Sequence, residues 1–228
     1  MTLKSAKQPT YEMAHGALTD EIYNEFMRHR YVLQSDVLLP IEKERYENLL
    51  NRRADEKEVV KAFAFLSECL FKYHGKKTII LIDEYDVPLE NAYFEGFYDK
   101  MIKFILSLFE SALKTNPYLE RSVITGCLRI SKESIFTGMN NLETDSVLHT
   151  RYGDAFGFTQ EEVEAMLAYY NLNEQIEEVK KWYDGYLFNN FEIYNPWSIL
   201  KYVNDRKDHV TQFPLPYWSN TSSNSIVH

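Results

Sequence analysis

The apolar positions of this chain recur mostly at helical spacing, with two short exceptions. Ile22, Phe26 and Met27 form a first helical stripe, for which Thr19 is the expected cap. Pro40 punctuates the chain, and a charged helix is expected over 41–50. Asp55 with Glu58 reads as an N-terminal cap. A long helix should follow, with Val59, Phe63, Leu66, Leu70 and Tyr73 on its apolar stripe. Gly75 ends it, with Lys72 in the last turn. Phe97, Met101, Phe104, Ile105 and Leu108 mark another helix running to about Lys114, broken by Asn116-Pro117. Thr159 with Glu162 is a capping box, and Val163, Met166, Leu167 and Tyr170 should face inward behind it. Helices are also expected over 174–183 and from Asn195-Pro196 to about Tyr202.

The exceptions are TIILI, residues 78–82, and SVITG, residues 122–126. The first is short, β-branched and apolar throughout, as in a central strand buried on both faces of a parallel sheet. One long amphipathic segment separates the two, so 78–82 and 123–125 are predicted to be adjacent parallel strands, with helix exceeding strand at least twofold. Residues 127–158 read as loops with a short helix. The order strand–helix–strand within a larger helical share makes the fold class α/β with helical additions. Residues 1–18 read as a loose arm, and the Ser/Asn-rich 213–228 as a linker-like tail.

Composition narrows the function classes. The 228 residues carry 25 Lys+Arg against 34 Asp+Glu, a net charge of −9, which argues against a general nucleic-acid coat and leaves nucleic-acid binding open. No stretch approaches 18 uninterrupted apolar residues and the N-terminus has no apolar signal region, so a cytoplasmic protein without a membrane span is expected. Cys69 and Cys127 each sit in an apolar run and read as buried thiols. The six histidines show no pair at metal-ligand spacing.

Three segments carry candidate chemistry. TIILIDEYD, residues 78–86, delivers Asp83 and Glu84 at the C-terminal end of a strand, where open α/β sheets place ligands. In phosphoryl-transfer sites such an Asp holds Mg²⁺, and a Glu after it can polarise the attacking water. A plain acidic strand-to-loop turn would show the same letters. In VITGCLRISKES, residues 123–134, a strand ends in Thr125-Gly126 and is followed by Arg129 and Lys132. A hydroxyl there can sense a γ-phosphate and an arginine can stabilise transferred charge, while a solvated turn with ion pairs fits equally. The aromatic segment 182–198, WYDGYLF to IYNPWS, suits either a stacking platform or ordinary core and turn residues. Gly75-Lys76-Lys77-Thr78 mimics the end of a phosphate loop but precedes a strand, and G-x-x-x-x-G-K-[ST] occurs nowhere in the sequence.

ILIDEYDVPL, TGCLRISKESIFTGMNNL, FGFTQEEV, WYDGY…IYNPWS and YWSNTSSN follow in order from about residue 20 to the end. Together they resemble the bacterial AAA-ATPase-like family, whose longer members usually carry a C-terminal PD-(D/E)XK nuclease-like domain. The resemblance implies an incomplete P-loop NTPase-like parallel sheet with flanking helices. It implies Asp83 and Glu84 as a Walker B pair, with Asp83 the Mg²⁺ partner and Glu84 catalytic, and Thr125 near the sensor strand. Arg129 and Lys132 lie in the family's R-[IV]-[AS]-K stretch, as candidates for charge stabilisation and nucleotide contact. Mg²⁺ and ATP are the implied cofactors. By the family pattern the phosphate loop lies upstream of anything in this sequence, and the nuclease-like domain downstream of it. The sequence therefore reads as a middle piece: an α/β core over 19–156, a helical lid-like subdomain over 157–212, and the tail. Nucleotide binding is expected only if the phosphate loop is supplied. Self-association through an uncovered sheet edge is a possible partner mode. The alternative is a non-catalytic interaction or remnant protein that keeps part of the fold.

Overall fold

Residues 1–127, 142–208 and 213–219 are described by the structure, a computed structural model. The chain divides into two units, Met1–Leu142 and Glu143–His228, so the division precedes the boundary expected after residue 156.

In the first unit the helix α1 spans Tyr11–Arg28, and Thr10, not Thr19, caps it by accepting the Met13 N–H. The Thr19 hydroxyl instead donates to the His15 carbonyl one turn back, at 2.7 Å. The segment expected as a loose arm is therefore mostly structured. Ala14, Leu18, Ile22 and Phe26 of α1 are buried, while Met27 is exposed. The sequence places Leu18 and Ala14 on the same stripe as Ile22, which explains why the helix begins earlier than expected.

The helix α2 spans Pro40–Leu50, with Pro40 in its first turn. The expected long helix is two: α3, Glu56–Val60, capped by the Asp55 carboxylate on the Glu58 N–H, and α4, Ala62–His74. The break falls at Lys61, and Phe63, Leu66 and Val59 remain on the buried side while Tyr73 is exposed. Gly75 closes α4 in the left-handed region at φ 66°, its N–H bonding the Phe71 carbonyl at 2.8 Å. Its Gly-Lys-Lys-Thr is thus a helix end. Tyr46 of α2 is fully buried, its hydroxyl donating to the Phe26 carbonyl at 2.8 Å and its ring packed on Phe26 and Phe65. An aromatic buried this way contributes about 1.5–3 kcal/mol by area alone.

The strand β1, Thr78–Ile82, ends at Asp83. Two helices follow, α5 over Val87–Phe94 and α6 over Tyr98–Phe109. The first was not expected, because its short apolar set lacks a strong helical stripe. All of Met101, Phe104, Ile105 and Leu108 are buried. A π-helical turn, Glu110–Lys114, leads to the strand β2, Leu119–Ile124. As predicted, β1 and β2 pair in parallel, with Ile80 opposite Ser122, Leu81 opposite Val123 and Ile82 opposite Ile124. The expected two-sided burial does not hold. Ile82 is buried against the helices, whereas Ile79, Leu81 and Val123 are 62%, 59% and 46% exposed on the other face.

In the second unit, α7 spans Gln160–Tyr169 behind the complete Thr159/Glu162 capping box. Val163 and Leu167 are buried, but Tyr170 is exposed. The helix α8 spans Ile176–Tyr183. A turn is expected over 182–186 from Asp184-Gly185; instead residues 184–194 form an antiparallel hairpin of β3, Asp184–Phe188, and β4, Phe191–Tyr194. Its alternation was hidden by the density of aromatics, and Asn189 takes φ 53° at the turn. The helix α9 spans Pro196–Lys207, with the Asn195 side chain accepting the Ser198 N–H. Residues 213–219 of the expected tail pack onto this unit. Tyr194, Ile199 and Tyr202 are its largest fully buried groups. Among the described residues helix exceeds strand in this unit, around one small sheet, and no helix is long and apolar enough to cross a membrane.

Two consequences are testable. Lys72 of α4 sits between Glu42 of α2 and Glu68, and these side chains are 16–29% exposed. Burial raises the Glu42 carboxyl, but the hydrogen bonds from Lys72 and the Leu39 N–H outweigh it and hold it below its ordinary value. Burial lowers the Lys72 ammonium, and the bonds to Glu42 and Glu68 turn the net shift upward. The depressed acid stabilises the fold above the unfolded carboxylate value and stops doing so as pH falls through the folded one. The raised base stabilises it below the unfolded lysine value and stops as pH rises through the folded one. Glu42→Gln should therefore cost about 1 kcal/mol in urea unfolding from about pH 5 to pH 10, and the difference should vanish below about pH 3. A loss that persists in acid would assign the effect to packing. At Gly126, which follows β2, an added Cβ would lie 2.6 Å from Asp86 Oδ1 and 2.7 Å from the Tyr85 ring. Gly126→Ala should lower stability by about 1–3 kcal/mol, read from the same unfolding curves.

Candidate functional site

The parallel register brings the two predicted polar strand ends together. Because Ile82 pairs with Ile124, Asp83 and Thr125 are the next residues on neighbouring strands. Backbone bonding continues past the strands, from the Thr125 N–H to the Ile82 carbonyl at 2.9 Å and from the Tyr85 N–H to the Thr125 carbonyl at 3.1 Å. The Thr125 hydroxyl donates to Asp83 Oδ1, which also accepts the Glu84 N–H at 2.9 Å. Both bonds fall on Oδ1, and among the described residues no bond engages Oδ2. Asp83 is exposed to solvent.

The opposite edge of β1 is covered by the first residues of the chain. The Met1 amino group donates to the Leu81 carbonyl at 2.9 Å, and the Asp83 N–H to the Met1 carbonyl at 3.0 Å. The Leu3 N–H then bonds the Asp83 carbonyl at 2.9 Å, so Thr2 makes a parallel bridge to Asp83. This places the Thr2 hydroxyl 2.8 Å from Glu84 Oε2, to which it donates, and the Lys4 ammonium 3.9 Å from Oε1. Glu84 itself adopts φ 56°, a left-handed conformation that costs a non-glycine residue of order 1–3 kcal/mol. Each carboxylate of the pair thus receives one threonine hydroxyl, each from a different flanking segment.

The loop after Glu84 is pinned from the other side. Asp86 is 2% exposed, and its Oδ2 accepts the Cys127 N–H at 3.0 Å, tying the exit of β1 to the exit of β2. Cys127, expected to be buried, is exposed, whereas Cys69 is buried. Partial burial, followed by the charges of Asp86, Glu84 and Asp83, pushes the Cys127 thiol up.

Of the sequence-derived candidates, Asp83, Glu84 and Thr125 converge. Arg129 and Lys132 lie outside the described residues. The aromatic segment 182–198 belongs to the second unit, where it ends α8, forms the hairpin and opens α9. Two participants were missed. Asp86 is part of the DEYD letters and its spacing from Asp83 was a usable signal. Thr2 is 82 positions from Glu84, and no local pattern announces such a partner.

The donors at this strand end are carboxylate and hydroxyl oxygens, the set that suits a hard cation retaining several waters, such as Mg²⁺. Among the described residues no group of three or more His, Cys, Asp or Glu side chains is arranged to enclose a metal by itself.

A protein of Azotobacter chroococcum mcd 1 described as "Uncharacterized protein in vnfD 5'region" is 28% identical over 154 residues. The match covers 67% of this chain and 28% of that relative, so the chain spans under a third of the length of the curated relative it matches. No solved structure matches the chain. The model of the family described as Predicted AAA-ATPase matches residues 6–136, more than half of the sequence and all of β1, β2 and the loops at their ends. The chain belongs to this AAA-ATPase-like family.

Proposed function

We propose that the chain supplies the acidic strand-end half of an ATP-hydrolysing site on a P-loop NTPase-like sheet. The observation that carries this reading is the Thr125–Asp83 bond across the ends of two parallel strands, with Glu84 beside it. Asp83 would hold Mg²⁺ through water, while Thr125 and the Glu84 amide hold its Oδ1. Glu84 is assigned to the attacking water. Thr2 holds one of its oxygens, and the left-handed backbone fixes the direction of the side chain. Bound Mg²⁺ would neutralise phosphate charge as the γ-phosphoryl departs. Arg129 and Lys132 follow β2 in sequence and are proposed to meet that charge and the nucleotide.

These residues contain no G-x-x-x-x-G-K-[ST], so the cradle for the β- and γ-phosphates has to come from elsewhere. The open face of the sheet fits that reading. Parallel strands are normally covered on both faces, yet Ile79, Leu81 and Val123 are exposed. Further helices and strands of a longer polypeptide would cover them. The lack of a phosphate-loop sequence also favours a second reading, a non-catalytic interaction protein that keeps the fold without the reaction.

Calorimetry separates the two stages of the proposal. The 228-residue chain should show no micromolar affinity for Mg²⁺–ATP, and a measured micromolar constant would contradict the need for a separate phosphate loop. With a strand and phosphate loop fused upstream, ATP turnover should appear. Asp83→Ala should then lower both nucleotide binding and turnover. Glu84→Gln should leave binding intact and slow hydrolysis by roughly 10²–10⁴-fold, the span of a lost general base. An unchanged rate in Glu84→Gln would sink the assignment of Glu84 to the attacking water. Failure of turnover to appear would favour the non-catalytic reading.

Thr2 has its own signature. Thr2→Val removes the hydroxyl that holds Glu84 while keeping a β-branched side chain at the bridge. Turnover in the loop-supplied protein should drop about tenfold, the scale of losing one charge-assisted hydrogen bond, with nucleotide affinity unchanged. Thr2→Ser should restore most of the rate. A drop that Ser does not rescue would mean that Thr2 acts through packing alone.

A further inference from the structure

The strand β1 has two edges, and one of them is only partly closed. Successive residues of a strand turn their backbone groups to alternate sides. Thr78 and Ile82 face β2: the Thr78 N–H donates to the Tyr118 carbonyl at 2.9 Å, and the Ile82 carbonyl accepts the Thr125 N–H at 2.9 Å. Ile79, Leu81 and Asp83 therefore face the other edge. There the Asp83 N–H and carbonyl are paired with Met1 and Leu3, and the Leu81 carbonyl accepts from the Met1 amino group. The pairing stops at that point. Among the described residues nothing bonds the Leu81 N–H, or the N–H and carbonyl of Ile79, on this edge.

The unpaired stretch borders a cavity of about 670 Å³, lined by Met1, by residues 78–81 and by Phe63, Leu66 and Leu70 of α4. Residues 1–3 show how a chain entering it would be disposed. Leu3 is 1% exposed and Met1 packs on the same core, whereas Thr2 is exposed and reaches Glu84. By the same alternation, a residue one place ahead of Met1 would stand beside Leu81 on the open face, and a residue two places ahead would point towards α4. That second residue would also donate its N–H to the Ile79 carbonyl and accept the Leu81 N–H, the bonds that the parallel register leaves open. Lys76 and Lys77, which lead into β1, line the cavity with Arg28, His29 and His74, against one acid, Glu25. An acidic residue in the incoming segment matches that charge.

We propose that this edge takes a third parallel strand, made of four residues joined directly ahead of Met1 in a longer polypeptide, apolar two places ahead and acidic four places ahead. The occupant follows from continuity. The ladder already runs from Leu3 back to Met1 in the parallel register, and its next rungs are the free groups of Leu81 and Ile79. An edge with unpaired backbone groups beside an apolar cavity is a template for such addition. With the strand in place β1 is an inner strand, and the bonds that carry Thr2 to Glu84 are the middle of a ladder instead of a chain end. The strand rests on the first unit alone and stands whether or not Asp83 and Glu84 serve ATP hydrolysis.

The test uses the full chain with five residues, Met-Glu-Ile-Val-Val, added ahead of Met1, and reads amide hydrogen exchange residue by residue. In the 228-residue chain the Leu81 N–H should exchange freely, while that of Ile82, which faces β2, is protected. The extension should slow Leu81 by about tenfold or more and leave Ile82 unchanged. Proline two places ahead of Met1 removes the donor to Ile79 and should abolish most of that slowing. Proline one place ahead, where the N–H would face away from β1, should keep it. A Gly-Ser extension of the same length, with nothing to fill the cavity, should not protect Leu81. No slowing with the apolar extension, equal slowing with Gly-Ser, a greater loss from proline one place ahead than from two, or a Leu81 N–H already protected in the 228-residue chain would each overturn the proposal. None of these readouts involves nucleotide, so its failure is separate from a failure of the ATPase reading.

Discussion

The parallel pairing of β1 with β2, held in one register, is what the candidate site depends on. Side chains in a strand alternate faces, so a slip of one residue would turn Asp83 and Thr125 to opposite sides of the sheet. The register is fixed by burial on one face only. Ile82 is buried and Ile80 and Ile124 are partly so, packed on a core built from α1, α4 and α6. The open face contributes no such restraint, so the core side must carry the whole specification. Polar bonds then extend the register past the last apolar pair. The Thr125–Asp83 and Cys127–Asp86 contacts clamp the two strand exits. Gly126 sits between them because no side chain fits against Asp86 and the Tyr85 ring.

That clamp separates two kinds of carboxylate within four residues. Asp86 is buried and engaged by a backbone amide from β2's exit, a structural use. Asp83 and Glu84 are more accessible and are met by hydroxyls of Thr125 and Thr2, which orient a carboxylate without neutralising its charge. Lys4 approaches Glu84 only at 3.9 Å and is largely exposed, so its effect on that charge is screened. The acids together make the strand end a region of negative potential, which adds to burial in raising the Cys127 thiol. Negative potential at a strand end attracts a divalent cation, and it repels a triphosphate unless a cation or a basic loop comes with it. This is the electrostatic reason that the proposed site needs Mg²⁺ and a phosphate cradle together.

Sequence pattern was informative where one physical effect dominated. Both strands of the parallel pair, their direction, the Asp55 and Thr159 caps, the Gly75 stop and the Asn195-Pro196 start were legible, since each rests on residues within one turn or one strand. Residues 1–3 were misread because their anchorage is non-local: three backbone bonds to Leu81 and Asp83, made across some 80 positions, order a segment with little local signal, whereas the early start of α1 was legible in Ala14 and Leu18. The hairpin of β3 and β4 was hidden for a different reason. Alternation of apolar and polar positions carries no information when both faces carry large apolar side chains, as in Tyr186, Leu187 and Phe188. Two-sided burial of β1 failed because composition reports what a strand tolerates and not what packs on it. Ile79 and Leu81 are as apolar as Ile80 and Ile82, yet only the latter pair faces the helices.

The two misread regions share a feature that ties fold to function. Residues 1–3 lie on a strand edge and reach Glu84, while residues 213–219 lie on an aromatic face and reach Tyr183 and Trp197. Each is a short segment with weak intrinsic preference, held by a few backbone hydrogen bonds and one or two side-chain contacts. The first is also seated in the core, since Leu3 is 1% exposed and Ala6 fully buried, whereas Pro214 is the one buried residue of 213–219. In the first unit Leu3 joins Phe26, Tyr46, Leu49 and Phe109 as fully buried, and removing any of them opens a cavity in the core. The cores therefore fix where Asp83, Thr125, Tyr183 and Trp197 stand, and the non-local segments supply hydrogen-bond partners to Glu84, Tyr183 and Trp197.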